Sequence, residues 1–220
     1  MKNRLDLCRV ATLKRDASGV SIVEFALVLP VILTLGLYGT EIARMATTKM
    51  KVSQIALSLA DNASRLGQTD NSGVTPTITE ADVDAILQGA LEQGSGIDLE
   101  SNGRVILSSV EHDDFTGRQF IHWQRCRGEF DRDSAYGNDT DKNGISGDEI
   151  EGFGRGATKI TAQPDSAVMF VEIFYEYEPL FENPFGAGTR RFREEAAFLI
   201  RDDRNLTPGL TGGDSDSECD

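Results

Sequence analysis

The chain has 220 residues, 39% of them hydrophobic, and a formal net charge of −14. This length allows one core-forming domain with a membrane segment, or at most two small domains. The acidic charge argues against a nucleic-acid-binding protein, because phosphate contacts need clustered Lys and Arg. The exception is a short basic stretch at the N-terminus, residues 1–19.

A long apolar run follows this basic stretch. Residues 20–38 read VSIVEFALVLPVILTLGLY and contain a single charged residue, Glu24. As a helix, the run is long enough to cross the hydrocarbon core of a bilayer. The positive-inside rule then predicts a single-pass inner-membrane protein with residues 1–19 in the cytoplasm and the body in the periplasm.

Two simpler interpretations fit the run less well. A cleavable signal peptide has a shorter apolar region and ends at a small-residue site of the A-x-A type, which is missing here. A plain membrane anchor leaves Glu24 unexplained, because a carboxylate within an apolar helix is costly and usually marks a function. Pro30, in the middle of the run, predicts a kink without a functional role.

The spacing of Gly19 and Glu24 resembles the processing site of type IV prepilins. In that family a prepilin peptidase cuts after the glycine, so that Val20 would become the first residue of the mature chain and Glu24 the fifth. The resemblance implies that the new N-terminal amine neutralises Glu24 in the assembled helix bundle, since a buried carboxylate needs a partner.

The pair Glu24–Phe25 and the run VEFALVLPVIL, residues 23–33, look like the TadE-like pseudopilins of the tight-adherence (Tad) pilus system. Residues 123–128 and 166–181 of the body also resemble these proteins. The resemblance implies a non-catalytic minor pilin or pseudopilin. Its partners would be the prepilin peptidase, other pilins or pseudopilins and the pilus assembly platform.

The remaining pattern predicts an α+β fold. Helical periodicity extends the membrane helix outward over residues 39–66, with Gly67 as its C-cap. The acidic domain, residues 67–204, opens with a linker to residue 77, and a capping box at Thr79 then starts a helix over residues 80–93. A flexible tail, residues 205–220, closes the chain, because it has little apolar surface.

Four strands are predicted in the domain. Residues 104–110 and 119–124 form a hairpin. Residues 167–177 and 190–200 complete a roughly four-stranded, mostly antiparallel sheet. One face of strand 167–177 is continuously apolar or aromatic and should pack on the long helix, as in pilins. Glu172 and Glu176 should form cross-strand pairs with Arg190, Arg191 and Arg193.

An acidic loop suggests a metal site. Residues 139–150 read DTDKNGISGDEI, in which Asp139, Asp141 and Asn143 alternate as in the start of an EF-hand-type calcium loop. The twelfth residue is Ile150 where the motif has Glu, and a one-residue deletion in this loop after Gly144, relative to the motif, would put Glu149 in register. An acidic surface loop is the simpler interpretation, so calcium is a possible ligand and no other cofactor is expected. A membrane-anchored binding module unrelated to pili is therefore the alternative function.

The cysteines are Cys8, Cys126 and Cys219. If cleavage removes Cys8, an oxidising compartment favours a bridge between the remaining two, although a free or intermolecular Cys219 is the open alternative. No enzyme is indicated, because His112 and His122 lie in predicted strands and no nucleophile motif accompanies them.

Overall fold

The computed structural model describes residues 19–67, 75–180, 189–201, 204–213 and 215–219. The predicted leader before Gly19 and most of the predicted linker lie outside these residues. The chain divides into two compact units, Met1–Arg44 and Met45–Asp220.

Helix α1 runs without interruption over Val20–Ser64 and includes Pro30. We divide the helix at the boundary between the two units into a first part, residues 20–44, and a second part, residues 45–64. The first part contains the one stretch of the described residues that is long and apolar enough to cross a membrane. The helix ends slightly before the predicted residue 66, because Arg65 and Leu66 turn back with tighter bonds to carbonyls three residues earlier. Gly67 follows with a φ of +77°, the left-handed conformation expected at a C-cap.

The second unit is an α+β domain. Its elements after α1 are β1 (Ile78–Thr79), α2 (Glu80–Gly94), a 3₁₀ turn (Ser95–Ile97), α3 (Leu99–Asn102), β2 (Gly103–Asp113), β3 (Arg118–Arg127), β4 (Ala167–Tyr177), β5 (Arg190–Leu199) and β6 (Leu210–Thr211). The main sheet has the order β3-β2-β4-β5, and every neighbouring pair is antiparallel. This confirms the predicted fold class. The strands β1 and β6 form a separate, short parallel pair.

One face of the sheet packs against the second part of α1. The cluster on this face joins Val52, Ile55, Leu59 and Ala63 of α1, Leu87 and Leu91 of α2, and Met169, Val171, Ile173, Tyr175 and Tyr177 of β4. The alternate residues of β4 thus pack with the helix, as their pattern predicts, because successive strand side chains point to opposite faces. At the start of α2, the Thr79 side chain and Asp82 form the predicted capping box.

A second, smaller core covers the opposite face of the sheet. It joins Val110, Ile121, Val168 and Phe170 of the strands with Ile150, Phe153 and Ala162 from the connection between β3 and β4. Tyr136, Phe153 and Phe170 pack with ring centroids 5.0–5.2 Å apart. The sequence analysis did not predict this layer, because the connecting segment has neither helical nor strand periodicity.

The C-terminal segment contacts the domain at several points, whereas its composition predicts a flexible tail. Strand β6 pairs with β1, and the Thr211 hydroxyl donates to the Ile78 carbonyl. Farther on, Ser217 is fully buried. Main-chain and hydroxyl hydrogen bonds supply these contacts, and Leu206 and Leu210 of the same segment pack against the core.

Candidate functional site

The candidate processing site lies at the beginning of α1. The Gly19 carbonyl accepts a hydrogen bond from the Val23 amide at 3.3 Å, so Gly19 is the residue that opens the helix. A Cβ atom added at Gly19 would meet no atom within 4 Å among the described residues. Packing therefore does not require a glycine here. Val20 and Phe25, on either side of Glu24, are both exposed.

Glu24 lies in this apolar surface without a partner among the described residues of the chain. Its neighbours Ile22, Val23 and Leu27 are exposed, as is Glu24 itself. An unpaired carboxylate is expensive to place in hydrocarbon. If the segment is surrounded by lipid or by other helices, the partner of Glu24 must come from outside the described chain.

Pro30 is accommodated within the helix. Proline cannot donate a main-chain hydrogen bond, and one carbonyl of the preceding turn loses its usual donor. One turn later, the Thr34 hydroxyl donates to the Pro30 carbonyl at 2.7 Å. This bond adds a donor to the Pro30 carbonyl and does not replace the donor that the earlier carbonyl loses.

The four predicted calcium ligands engage different partners within the protein. Asp139 accepts from the Gln124 amide at 2.9 Å, and Asp141 accepts from the Asn138 side chain at 2.8 Å. The Asn143 side chain accepts from two amides of its own turn, and Glu149 lies 3.8 Å from Arg118. Among the described residues, no three His, Cys, Asp or Glu side chains are grouped to hold a metal ion.

The structure requires a glycine at position 144 for a steric reason that does not involve calcium. Its φ is +101°, and a Cβ atom there would lie 2.3 Å from the Gln119 carbonyl oxygen of β3. The loop therefore approaches the strand so closely that a side chain cannot fit. The neighbouring Asn143 carbonyl accepts from the Ile121 amide at 2.9 Å. The acidic loop thus covers the outer edge of β3.

Arg125 joins three segments that are distant in sequence, and the sequence analysis did not assign it a role. Its guanidinium forms a two-point ion pair with Glu80 at the start of α2, and the Nε–Oε2 distance is 2.8 Å. A second carboxylate, Asp139, lies 3.5 Å away. The bond to Glu80 raises the pKa of Arg125. Both partners are nearly buried, so the pair fixes α2 against β3.

The two cysteines beyond the leader are joined. Cys126 of β3 and Cys219 form a disulfide with a Cα–Cα distance of 5.0 Å and a sequence separation of 93 residues. The bond attaches the C-terminal segment next to Arg125. The pairing in the structure is the one that the sequence favours.

The histidines and the buried acids form ion pairs within the sheet. His122 Nδ1 lies 3.0 Å from both carboxylate oxygens of Glu111, which raises the pKa of the imidazole. Arg193 contacts the buried Glu172 at 2.8 Å, and Arg191 contacts Glu176 at 2.7 Å, which confirms the predicted pairing for these two arginines. Arg190 instead donates to the Met45 sulfur at 3.3 Å. Burial raises the pKa of Glu172 despite its neighbours.

Residues 19–61 match the family model described as TadE-like protein. The predicted resemblance to TadE-like proteins is therefore confirmed over these residues, which include Gly19, Glu24 and Phe25. No curated protein and no solved structure matches the chain.

Proposed function

We propose that this protein is a minor pilin or pseudopilin that takes part in assembly of a Tad-type pilus. The TadE-like match over residues 19–61 carries the proposal, because it covers both the candidate processing site and the exposed apolar helix. The protein acts by helix packing and performs no catalysis. Its partners are a prepilin peptidase, other pilins or pseudopilins, and the assembly platform.

The mature chain begins at Val20 in this proposal. Cleavage after Gly19 gives a new amine at the beginning of α1, one helical turn from Glu24. The basic segment before the cut lies on the cytoplasmic side of the inner membrane and the acidic body in the periplasm. The Cys126–Cys219 disulfide supports this placement, since such bonds persist in oxidising compartments.

N-terminal sequencing of membrane-extracted protein tests the cleavage step. We expect the mature chain to start at Val20 when the prepilin peptidase is present and the uncleaved chain to accumulate when it is deleted. A mature chain that starts elsewhere would disprove the assigned processing site.

Glu24 has its role in assembly and not in folding of the body. We expect Glu24→Ala and Glu24→Gln to insert into the membrane normally, because both remove a costly charge. Pilus output should fall severalfold or more in both variants, while the melting temperature of the detergent-solubilised protein stays unchanged. Shed-pilus quantification measures the first effect. Normal piliation in both variants would refute the role of this carboxylate.

The alternative function, a membrane-anchored binding module, is not favoured. Its support is the acidic loop, and the side chains of Asp139, Asp141, Asn143 and Glu149 already have partners within the chain. The close approach of Gly144 to β3 gives this loop a structural role in the domain.

A further inference from the structure

The strand β3 forms one edge of the main sheet, and most of its outer side is covered by the acidic loop. Gln119 bridges to Ile150, and Ile121 donates to the Asn143 carbonyl. Gln124 donates to the Asp139 carboxylate. An edge strand with open main-chain groups is a template for pairing with another chain. Over this part of β3, the acidic loop occupies the main-chain groups with which another chain could pair.

The last part of β3 is covered by a different segment, Ser215–Cys219, which we name the tail cap. The Cys126 amide donates to the Ser217 carbonyl at 2.7 Å, and Glu218 forms a bridge with Arg125. The Ser217 side chain donates to Asp84 of α2. The tail cap therefore occupies the position of a short added strand.

The tail cap is complementary in charge to this end of β3. It carries Asp216 and Glu218, whereas Arg125 and Arg127 lie on the strand, and Glu218 contributes to the raised pKa of Arg125. The cap has no large apolar side chain, so the free energy that holds it comes from a few polar bonds and from the disulfide. Such polar bonds contribute modestly, because water competes for the same groups.

Two glycines lie shortly before the tail cap. Gly212 and Gly213 precede it with φ values of +85° and +91°, a conformation that glycine adopts freely. The same segment of a second copy carries the same acidic residues and the same main-chain groups. Exchange of identical segments between copies is a low-cost route to association.

We propose that the tail cap is locked on β3 by the Cys126–Cys219 disulfide, and that without this bond the same edge accepts the acidic tail cap of a second copy. The bond forms by thiol–disulfide exchange with an oxidised dithiol oxidoreductase. The two cysteine thiols lose two protons and two electrons, and the disulfide of the oxidoreductase leaves as two thiols. Oxidation thus keeps the edge of β3 covered by the tail cap of the same subunit. This step is separate from the helix packing of pilus assembly.

Hydrogen exchange on the full chain in detergent micelles tests the lock. The comparison is between the oxidised wild type and the double variant Cys126→Ser/Cys219→Ser. We expect exchange in the peptide covering residues 124–127 to accelerate at least about tenfold, because the cross-link no longer opposes local opening. The Ile121 amide, which bonds to the acidic loop, is the internal control and should not change. Equal protection of residues 124–127 in the two proteins would overturn the lock.

Association state tests the second copy as the occupant. A third protein carries Cys126→Ser and is truncated after Gly213, so it has an open edge, no free thiol at position 126 and no cap to donate. Multi-angle light scattering of the three proteins in the same micelles should show concentration-dependent association beyond the wild-type level in the double variant alone. Association of the truncated protein to the same extent would mean direct pairing of β3 strands and would overturn tail exchange. No increase in the double variant would overturn it as well.

Discussion

The two parts of α1 carry similar apolar side chains and place them in opposite environments. In the first part, Leu27 and Leu35 are 71% and 69% exposed. In the second part, Val52 and Leu59 are 0% and 1% exposed, packed with the sheet. Burial of an apolar face supplies most of the stability of a helix in a protein. The apolar side chains of the first part have no such packing among the described residues.

The carboxylates of Glu24, in the first part of α1, and of Glu172, in the body, show the same contrast. Glu24 has no hydrogen-bond or ion-pair partner among the described residues, whereas the fully buried Glu172 receives bonds from Arg193, Ser134 and the Ala135 amide. The body thus supplies its own counter-charges. The first part of α1 supplies no counter-charge to Glu24 among the described residues, which is the property expected of a segment that works between subunits.

The largest effect should follow from breaking the internal pair. Arg193→Met leaves the Glu172 carboxylate buried without its guanidinium, and removal of one partner of a buried pair costs about 3–5 kcal/mol. Chemical denaturation of the full chain in detergent measures the loss. The double variant Glu172→Gln/Arg193→Met is the matched control and should recover part of it, since Glu172 no longer carries a charge. Glu195, which also contacts Arg193, keeps Arg155 in both variants.

The same variant should show a defined pH dependence. The folded-state pKa of Glu172 is raised, so the folded protein holds this proton more tightly than the unfolded chain does. Its contribution to stability is therefore greatest at low pH and falls as the pH rises through the folded pKa. Without Arg193 the loss should be larger at pH 8 than at pH 5. The opposite trend would show that Glu172 is not the responsible group.

A smaller effect should distinguish the faces of α1 within the body. Leu59→Ala removes a side chain that is 1% exposed and should lower the free energy of unfolding by about 2–5 kcal/mol. Leu57→Ala, on the same stretch of helix, removes a side chain that is 49% exposed and should change it by less than about 0.5 kcal/mol. Equal losses in the two variants would contradict the packing of this helix on the sheet.

Features that follow a local period could be predicted from the sequence. The strict alternation of β4 placed Met169, Val171 and Ile173 on one face, and the same face packs with α1. The capping box at Thr79 fixed the start of α2. In each case a single element carries the signal, because strand and helix geometry determine where side chains at fixed spacing lie.

Features that depend on a distant partner could not be predicted in this way. The Arg125–Glu80 pair joins residues 45 positions apart, and neither residue type identifies the other. In the acidic loop, alternating oxygen-bearing side chains are typical of calcium ligands and also of acceptors for open amides. The Gln124 amide as the partner of Asp139 and the close approach of Gly144 to the Gln119 carbonyl favour the second role. The tail docks through main-chain bonds and through two isolated leucines, Leu206 and Leu210, which form no periodic pattern in the sequence.

Substitution of Asp139 has the smallest expected effect and separates a structural role of the acidic loop from calcium binding. Its carboxylate accepts from the Gln124 amide and lies near Arg125, so Asp139→Ala leaves an edge amide of β3 without its acceptor. The group is partly exposed, and we expect a loss of about 1 kcal/mol, because water replaces part of the bond. Asp141→Ala is the control, since among the described residues Asp141 bonds only to residues of its own exposed turn, and no change in melting temperature is expected.

The effect of Asp139→Ala should be the same in millimolar calcium and in excess chelator. A calcium-dependent rise in the wild-type melting temperature that Asp141→Ala abolishes would instead show that the loop binds the metal, since a ligand specific to the folded state stabilises it.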